Sequence, residues 1–470
     1  MLTKPSKNPA VKRSLVLAGG GMRVAYQAGV LMALEESGLQ FSHVDGTSGG
    51  IFNTSMLASG LSPKTMAEKW RTLKLKYFVS TRKVKDYLHM FKMQGYADAD
   101  NIRKKVFPHL GINLKNINAN AEINATFNVC NFRTKSVEAK PNTTVKEDHL
   151  IAGVSLPLFM PAIKIDEDWY TDAVWIKDAN LIESVNQGSK ELWLVWAIGN
   201  SPNYLKGAFH QYVHMIEMSA NGGLLEEYRY IHKLNELATA DEKIKLFVIK
   251  SQIPLPLDPD FFFNKINARE LVNMGYAQAK GYLQNYKPEG ELLDETASAS
   301  EEPDFLLTFR SEYFGKLAFN SKQTPVQLFI YTRFAQFPDK QVCEVYSSIK
   351  IGREELEIPT YNYEIIGGNQ ELKGVSKFVL DGKEMTLTTV QKLSSPIEIA
   401  MGLGFKQIEI KVQAEDGSTM IEGKLYQSMG SRLKSLYSTN LSTITDKRTG
   451  LRAKLKMFKA FINHVKTKTS

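Results

Sequence analysis

The pattern of apolar and polar positions changes along the chain, and the change divides the sequence into two parts. In the N-terminal part, short apolar runs typical of buried strands alternate with helix-like stretches. The apolar runs cover residues 14–18, 41–44, 127–129, 192–196 and 245–249. Helices are predicted over residues 51–59 and from Pro63, with Ser62 as the N-cap. Strands that alternate with helices predict a mostly parallel sheet flanked by helices.

In the C-terminal part, apolar residues alternate with polar ones, which is the period of half-buried strands. The alternation recurs at residues 326–330, 342–346, 378–380, 386–390, 408–412 and 421–425. Asp381-Gly382 and Asp416-Gly417 have the sequence of tight hairpin turns and stand beside such segments. These features predict a separate antiparallel β-rich domain, closed or sandwiched.

The boundary between the two parts is predicted from composition. Residues 287–304 are acidic, small and poor in apolar side chains, so they cannot bury enough surface to order themselves and are typical of a linker. A chain of 470 residues is also too long for one compact core. We therefore predict a first domain over residues 12–286, an acidic linker over 287–304 and a β-rich domain over 305–470 that ends in a basic amphipathic helix.

Two glycine-rich segments carry the candidate chemistry. Ser48 lies in Gly46-Thr47-Ser48-Gly49-Gly50, between a predicted strand and a predicted helix. A serine at such a turn exposes its hydroxyl, and the glycines of the motif (Gly46, Gly49 and Gly50) allow the chain to turn sharply. The other segment, Gly19-Gly20-Gly21-Met22-Arg23, comes earlier in the chain and is called the first glycine segment. It also opens a helix after a strand, and its backbone N–H groups can face an oxyanion. A nucleophilic serine and a set of backbone N–H groups that can bind an anion, both at the ends of strands, are the arrangement of an acyl hydrolase.

Other interpretations of these segments remain open. The Gly-x-Ser-x-Gly string also occurs in glycine-rich turns whose serine has no chemical role. The first segment does not fit the dinucleotide-binding motif, because Val24 occupies the last glycine position, and no Lys-Ser/Thr follows as a phosphate-binding loop requires.

Three sequence blocks resemble the patatin-like phospholipase family. They are residues 17–30, with the first glycine segment; residues 45–50, with Ser48; and residues 151–162 followed by Trp169-Tyr170-Thr171-Asp172-Ala173. The resemblance spans roughly residues 14 to 180 and implies a three-layer α/β domain that cleaves acyl esters of phospholipids or other lipids through an acyl-enzyme. It assigns Ser48 and Asp172 as a catalytic dyad and Gly19, Gly20, Gly21, Met22 and Arg23 as the oxyanion hole, with no cofactor and no metal.

The chain departs from the family at one point. The family's Asp-Gly-Gly or Asp-Gly-Ala is replaced by Asp172-Ala173-Val174. Alanine adopts a positive φ poorly, so a turn that needed one would misplace the carboxylate.

A carboxylate acting as base requires a special environment. The ordinary pKa of Asp is about 3.9, too low for efficient proton abstraction at neutral pH. Burial of Asp172 among Trp169, Tyr170, Val174 and Trp175 is expected to raise its pKa. Nearby acids are candidates in principle: Asp166, Glu167, Asp168 and Asp178. No histidine suits a triad, and His210 and His214 lack the Glu of a zinc-binding His-Glu-x-x-His motif.

The charge distribution suggests two possible surfaces for a membrane. The net charge is +9, and Lys and Arg cluster in residues 69–85, with seven and no acid, and in residues 432–468, with ten against one acid. A basic amphipathic helix can lie on an anionic bilayer, or it can pack its apolar stripe on its own domain. We expect a lipid substrate and leave peripheral membrane contact open. No nucleic acid partner is expected, because no recognised binding module is present.

Composition also bears on location and on rival functions. No apolar run reaches the roughly 18 residues of a membrane span, and no signal-peptide core follows the basic N-terminus, so a cytoplasmic protein is expected. Two distant cysteines, Cys130 and Cys343, argue against a disulfide scaffold. Two alternatives stand beside the lipid hydrolase: an esterase or acyltransferase acting on soluble acyl esters, and a lipid-binding or scaffold protein with an impaired dyad.

Overall fold

The computed structural model describes residues 11–78, 95, 98–198, 204, 206–256, 266–366, 371–392, 405–443 and 451–469. Their contacts form two compact units, Met1–Asp258 with Gln278–Glu301, and Pro259–Ala277 with Glu302–Ser470. Residues 287–301 of the predicted linker thus group with the first unit, where Ala297 and Ser298 are buried. The predicted domain limits stay a prediction.

The first unit alternates strands and helices along the chain. Its strands are β1 Arg13–Leu17, β2 His43–Thr47, β3 Asn124–Asn131, β4 Ser136–Pro141, β5 Ile163–Ile165, β6 Asp168–Asp172, β7 Glu191–Trp196 and β8 Lys245–Lys250. Its helices are α1 Ala25–Glu36, α2 Gly50–Ala58, α3 Pro63–Thr72, α4 Phe107–Leu110, α5 Leu114–Ala119, α6 Glu147–Gly153, α7 Leu181–Asn186 and α8 Ala208–Leu237. A further helix, α9 Ala268–Asn285, contributes residues to both units.

These strands form one eight-stranded sheet in the order β5-β6-β3-β2-β1-β7-β8, with β4 also paired to β3. The pairs β3-β2, β2-β1, β1-β7 and β7-β8 are parallel, whereas β4, β5 and β6 are antiparallel to their neighbours. The chain leaves β1 toward β2 on one side and returns to β7 on the other. Ligands of open α/β sheets bind beyond the carboxyl ends of the strands at such a reversal of strand order.

Both faces of this sheet are buried. On one face, apolar side chains of β7 and β8 pack with Leu224, Tyr228 and Ile231 of α8. On the other face, Trp193 stacks on Phe247 with ring centroids 4.5 Å apart and meets the aromatic rings of the second half of α9. The fold class predicted for the N-terminal part, a mostly parallel sheet between helices, is therefore confirmed.

The second unit is an antiparallel β domain, as predicted. Its strands are β9 Phe305–Phe319, β10 Lys322–Gln336, β11 Gln341–Ile351, β12 Glu354–Ile358, β13 Asn362–Ile366, β14 Glu371–Leu380, β15 Lys383–Lys392, β16 Gln407–Ala414, β17 Thr419–Tyr426 and β18 Asn440–Thr443. Helix α10 covers Met429–Ser438, and α11 covers Leu451–Thr469. All ten described strands join a single sheet in the order β12-β11-β10-β9-β17-β16-β15-β14-β13, with β18 paired to β9. Asp381 and Gly382, in the β14–β15 turn, both have positive φ, which fits the predicted hairpin turn.

Helix α11 packs its apolar stripe against this sheet. Phe458 and Phe461 are almost fully buried and contact Phe309, with ring centroids 5.4 and 5.5 Å apart. Met457, Ile462 and Val465 are buried in the same core. Of the two interpretations of the basic C-terminal segment, the structure therefore has the helix that packs on its own domain. None of the described helices is long and apolar enough to cross a membrane.

Candidate active site

Ser48 lies at the sharp turn between the end of β2 and the start of α2. Its φ is 50°, in the left-handed region that a residue with a Cβ rarely occupies. Such strained conformations persist where the surrounding contacts hold them in place, and they cluster at functional sites. A strained strand-to-helix turn is the geometry expected of a nucleophilic serine, but Ser48 is buried, with 8% of its surface exposed, rather than open to solvent as the sequence suggested.

The motif glycines supply space at this turn. None of Gly46, Gly49 and Gly50 has a positive φ, so the unusual backbone angle belongs to Ser48. A Cβ added to each would lie 2.4 Å from Thr54 Oγ1 (Gly46), 2.8 Å from the Gly21 carbonyl oxygen (Gly49) and 2.0 Å from the Leu17 carbonyl oxygen (Gly50). Gly49 and Gly50 therefore allow close backbone packing, and Gly46 leaves room for the Thr54 side chain.

Asp172 is the last residue of β6, and its side chain reaches Ser48. The Ser48 hydroxyl donates to Asp172 Oδ2 at 2.7 Å, and the Val174 amide donates to Asp172 Oδ1 at 2.9 Å. Asp172 thereby caps the short 3-10 helix Ala173–Trp175. Ala173 has no positive φ, so alanine in place of the family's glycine fits this turn without strain.

The environment of Asp172 changes its acidity. Its carboxyl is 1% exposed. Burial raises the pKa of Asp172 to about 7, against the opposing effect of the hydrogen bonds from Val174 and Ser48. A carboxyl group with that pKa accepts a proton at neutral pH far better than an ordinary Asp does.

The residues around Asp172 differ partly from those expected. Tyr170 and Val174 are buried, but Trp169 is 47% exposed. Successive side chains of a strand point to opposite faces of the sheet, so Trp169 and Tyr170 of β6 cannot lie on the same face. Tyr212 of α8 instead packs against Trp175, with ring centroids 5.5 Å apart.

The first glycine segment lies between β1 and α1. Gly20 and Gly21 have φ of 140° and 57°, which favour glycine. The Gly19 amide donates to the Asp178 carbonyl oxygen, whereas the amides of Gly20 and Gly21 have no acceptor among the described residues. Gly20 and Gly21 are thus the two predicted donors with a free N–H for an oxyanion.

The other two residues predicted for the oxyanion hole follow directly. Met22 lies within the short 3-10 helix Gly21–Val24. Arg23 is buried, its amide donates to the Gly20 carbonyl oxygen at 3.0 Å, and its Nε donates to the same oxygen at 3.0 Å. Arg23 therefore braces the glycine segment.

A buried polar network that the sequence did not reveal lies beneath Ser48. Asp45 of β2 accepts from Thr126 Oγ1 at 2.6 Å and from Asn128 Nδ2 at 2.7 Å. Asn128 Oδ1 in turn accepts from Asn180 Nδ2 at 2.8 Å. Burial raises the pKa of Asp45 to about 8. The network connects the strand before Ser48 to the loop after Asp172. Of its members, only Asn180 could have been recognised in the sequence, as the N-cap of α7.

The remaining acidic residues of this region differ in burial and in their partners. Asp166 and Asp168 form ion pairs with Lys146 and Arg133, and Glu167 is exposed. Asp178 is fully buried. Within the described ranges, no group of three or more His, Cys, Asp and Glu side chains could hold a metal ion.

The histidine nearest Ser48 in sequence is held by other contacts. The ring nitrogens of His43 hydrogen-bond to Ser14 Oγ and Thr126 Oγ1, both at 2.9 Å. Burial lowers the pKa of His43 to about 4. His43 is a buried, satisfied side chain.

Comparisons with known proteins bear on the first unit. Residues 15–185 match the family described as Patatin-like phospholipase. No curated protein matches the chain. Among solved structures, the chain is similar to VipD from Legionella pneumophila. The two share 14% identity over 60% of this chain and 70% of that one, with a TM-score of 0.34. The resemblance seen in the sequence is confirmed by this match: residues 15–185 fit the model of the patatin-like phospholipase family, whose members are lipid acyl hydrolases.

Proposed function

We propose that this protein is a serine hydrolase of the phospholipase A type, which cleaves fatty acyl esters of phospholipids with Ser48 as nucleophile and Asp172 as base. The observation that carries the proposal is the 2.7 Å hydrogen bond from Ser48 Oγ to a buried Asp172 carboxyl. An unactivated serine hydroxyl is a weak nucleophile, so a base in hydrogen-bond contact is the first requirement.

The reaction begins with attack of Ser48 Oγ on the ester carbonyl carbon, while its proton passes to Asp172 Oδ2. The pKa of about 7 that burial gives Asp172 suits this transfer at neutral pH. The alcohol leaves, and the acyl group stays on Ser48. Water then attacks the acyl carbon and releases the fatty acid.

The negative charge on the carbonyl oxygen meets the N–H groups of Gly20 and Gly21, with Met22 next to them. These amides are fixed by the backbone before the substrate arrives, so they need no reorganisation. One such donor typically contributes about 2.7–4 kcal/mol of transition-state stabilisation.

Exposed apolar side chains near Asp172 support a lipid rather than a soluble ester. Leu158 and Phe159 are 54% and 37% exposed. They follow Ser155, whose carbonyl oxygen accepts the backbone hydrogen bond of Asp172 at 3.3 Å. Exposed apolar side chains beside a catalytic group are suited to an apolar substrate or surface.

Helix α8 continues this apolar surface. The Tyr212 ring packs against Phe159, with centroids 5.2 Å apart. Met215 and Met218, one and two turns further along, are 52% and 67% exposed. Methionine side chains adapt to varied apolar partners. We propose that these side chains contact the surface of a membrane.

The two basic segments support this contact less directly. Residues 79–85 of the first and 444–450 of the second lie outside the described ranges. The apolar stripe of α11 is buried on its own sheet and is not free for a bilayer.

A fluorophosphonate probe tests the proposal, because it reacts only with an activated serine. Wild-type protein should be labelled, Ser48→Ala should not, and Asp172→Ala should be labelled far more slowly. Ser42→Ala, an exposed serine just before β2, is the matched control and should be labelled like the wild type. Folded wild-type protein that takes up no label would contradict the proposal and favour the lipid-binding alternative.

A further inference from the structure

A second buried carboxyl lies beside Ser48 and is not used in the reaction described above. Asp178 is 0% exposed, and neither of its carboxylate oxygens has a hydrogen-bond partner among the described residues. A buried polar group without a partner costs free energy, so such a group in a folded protein calls for a functional explanation.

The position of Gly19 shows how close Asp178 is to the nucleophile. A Cβ added to Gly19 would lie 2.1 Å from Asp178 Oδ1 and 2.6 Å from the Cβ of Ser48. The two side chains therefore approach each other across a space that only a glycine at residue 19 leaves open. The Gly19 amide donates to the carbonyl oxygen of Asp178, which holds the two segments together at 3.2 Å.

The surroundings of Asp178 favour its protonated form. Burial raises the pKa of Asp178 well above its usual range and the nearby Asp172 carboxyl raises it further, whereas the Arg23 guanidinium and the Gly19 amide lower it. Arg23 does not neutralise Asp178 by direct contact, because its Nε is bonded to Gly20 and its Nη1 has no partner among the described residues. Two neighbouring carboxyls in unequal environments are the pattern of an acid paired with a base.

We propose that Asp178 is a second catalytic carboxyl, the general acid that gives its proton to the departing alcohol. The inference deepens the proposed hydrolase and rests on it. It assigns separate carboxyls to the two proton transfers of the first half-reaction, so that Asp172 need not release a proton in the same step in which it accepts one.

Protons and bonds balance over the full cycle. In the first half, the Oγ–carbon bond forms as the Ser48 proton passes to Asp172, and the bond from carbon to the leaving oxygen breaks as that oxygen takes the proton of Asp178. In the second half, water gives a proton to the Asp178 carboxylate as it attacks the acyl carbon. Ser48 Oγ then leaves with the proton held by Asp172, and both carboxyls return to their starting states.

A general acid has a signature that a structural residue lacks. It matters when the leaving group is a poor one, such as the alkoxide of a glycerol ester, and matters little for nitrophenolate, which leaves without a proton. The test compares first-turnover cleavage of a p-nitrophenyl ester and of an alkyl ester with the same acyl chain in wild type and Asp178→Asn. Asp166→Asn is the matched control, since it makes the same change at an exposed carboxyl paired with Lys146.

Asp178→Asn should slow the alkyl ester by roughly 100- to 10,000-fold and leave the nitrophenol burst and fluorophosphonate labelling of Ser48 nearly unchanged. Equal slowing of both esters, or of neither, would overturn the role. A wild-type protein that cleaves neither ester would overturn the hydrolase itself, and this inference with it.

A series of leaving groups on the unmodified protein covers the case in which Asp178→Asn fails to fold. With a general acid, the first-turnover rate should depend weakly on the pKa of the leaving alcohol. A steep decline toward alkyl alcohols in the wild type would contradict the proposal.

Discussion

Buried carboxyl groups have different partners in the two units. In the first unit, Asp45, Asp172 and Asp178 are all buried, and no cation among the described residues hydrogen-bonds to any of them. In each case burial raises the carboxyl pKa.

In the second unit, two buried carboxyls, those of Glu270 and Glu355, are paired with arginine. The Glu270 carboxylate accepts from the Arg310 guanidinium, and both side chains are almost fully buried. Arg269 Nε donates to Glu355 Oε1 at 2.7 Å. Each charge is compensated by an opposite charge in direct contact.

Asp172 and Asp178 thereby differ from the acids paired with arginine, and Asp45 shares their burial without contacting Ser48. A buried carboxyl without a cation keeps its proton to higher pH and can exchange it near neutrality, which is what a catalytic acid or base requires. A buried carboxyl bonded to arginine is held as a charged partner, and removing either member leaves the other uncompensated. The three acids without a cation occur in the unit that carries Ser48, in which a fourth buried carboxyl, that of Glu227, is bonded to Lys177.

The largest effect is expected from Asp172→Asn. The amide keeps the shape of the side chain but cannot take the Ser48 proton, so kcat/KM for ester cleavage should fall by roughly 100- to 10,000-fold. Steady-state kinetics on a short-chain ester measure it. The fold should be kept, because no ion pair is broken.

The same variant should change how stability depends on pH. Burial raises the folded pKa of Asp172 to about 7, whereas an unfolded Asp has about 3.9. The folded protein therefore binds an extra proton between these values, and its stability should fall as pH rises through them. Unfolding in urea at several pH values should show a smaller decline in Asp172→Asn. An equal decline in stability in both proteins would contradict the raised pKa of Asp172.

The second effect is expected in the other unit. Glu270→Gln removes the carboxylate that hydrogen-bonds to the buried Arg310 guanidinium and should destabilise that unit by about 3–5 kcal/mol, without slowing the labelling of Ser48. Hydrogen exchange of the β9 and β10 amides measures the loss. Glu384→Gln makes the same change in an exposed pair with Lys377 and should have no measurable effect. Similar exchange in the two variants would break the contrast.

The smallest effect concerns two amphipathic helices. Helix α11 buries its apolar stripe, whereas α8 exposes Met215 and Met218 beside the site. Met218→Glu should reduce hydrolysis of phospholipid vesicles several-fold and leave a soluble ester unaffected, because only the vesicle requires contact with an apolar surface. Leu237→Glu, at the far end of α8 and also exposed, is the matched control. Equal effects of both variants would argue against a lipid-facing surface at Met218.

Much of the fold could be predicted from local patterns. The apolar run at residues 192–196 became β7, and Ser62 caps α3 by accepting from the Thr65 amide. Period-two alternation likewise marked β10 and β15. These features depend on neighbours in sequence. The order of strands within each sheet depends on contacts between distant segments, and no local pattern contains it.

The site was predictable in its residues but not in its geometry. The motifs named Ser48 and Asp172, which are 124 positions apart and meet only through the sheet. The strain at Ser48 and the support from Asn128 depend on packing that one sequence does not display. Asp178 was one of several nearby acids, and only burial distinguishes it. The exposure of Trp169 could have been expected from strand alternation backward from Asp172.

Trapping the acyl group on Ser48 shows whether this serine is the nucleophile. Protein quenched in acid during hydrolysis of a short-chain ester is digested, and the peptide that contains Ser48 is examined by mass spectrometry. If Ser48 is the nucleophile, this peptide carries the mass of the acyl group in the wild type, and Ser48→Ala has neither adduct nor activity. Ester hydrolysis that continues in Ser48→Ala, with no acyl group on this peptide in the wild type, would contradict it.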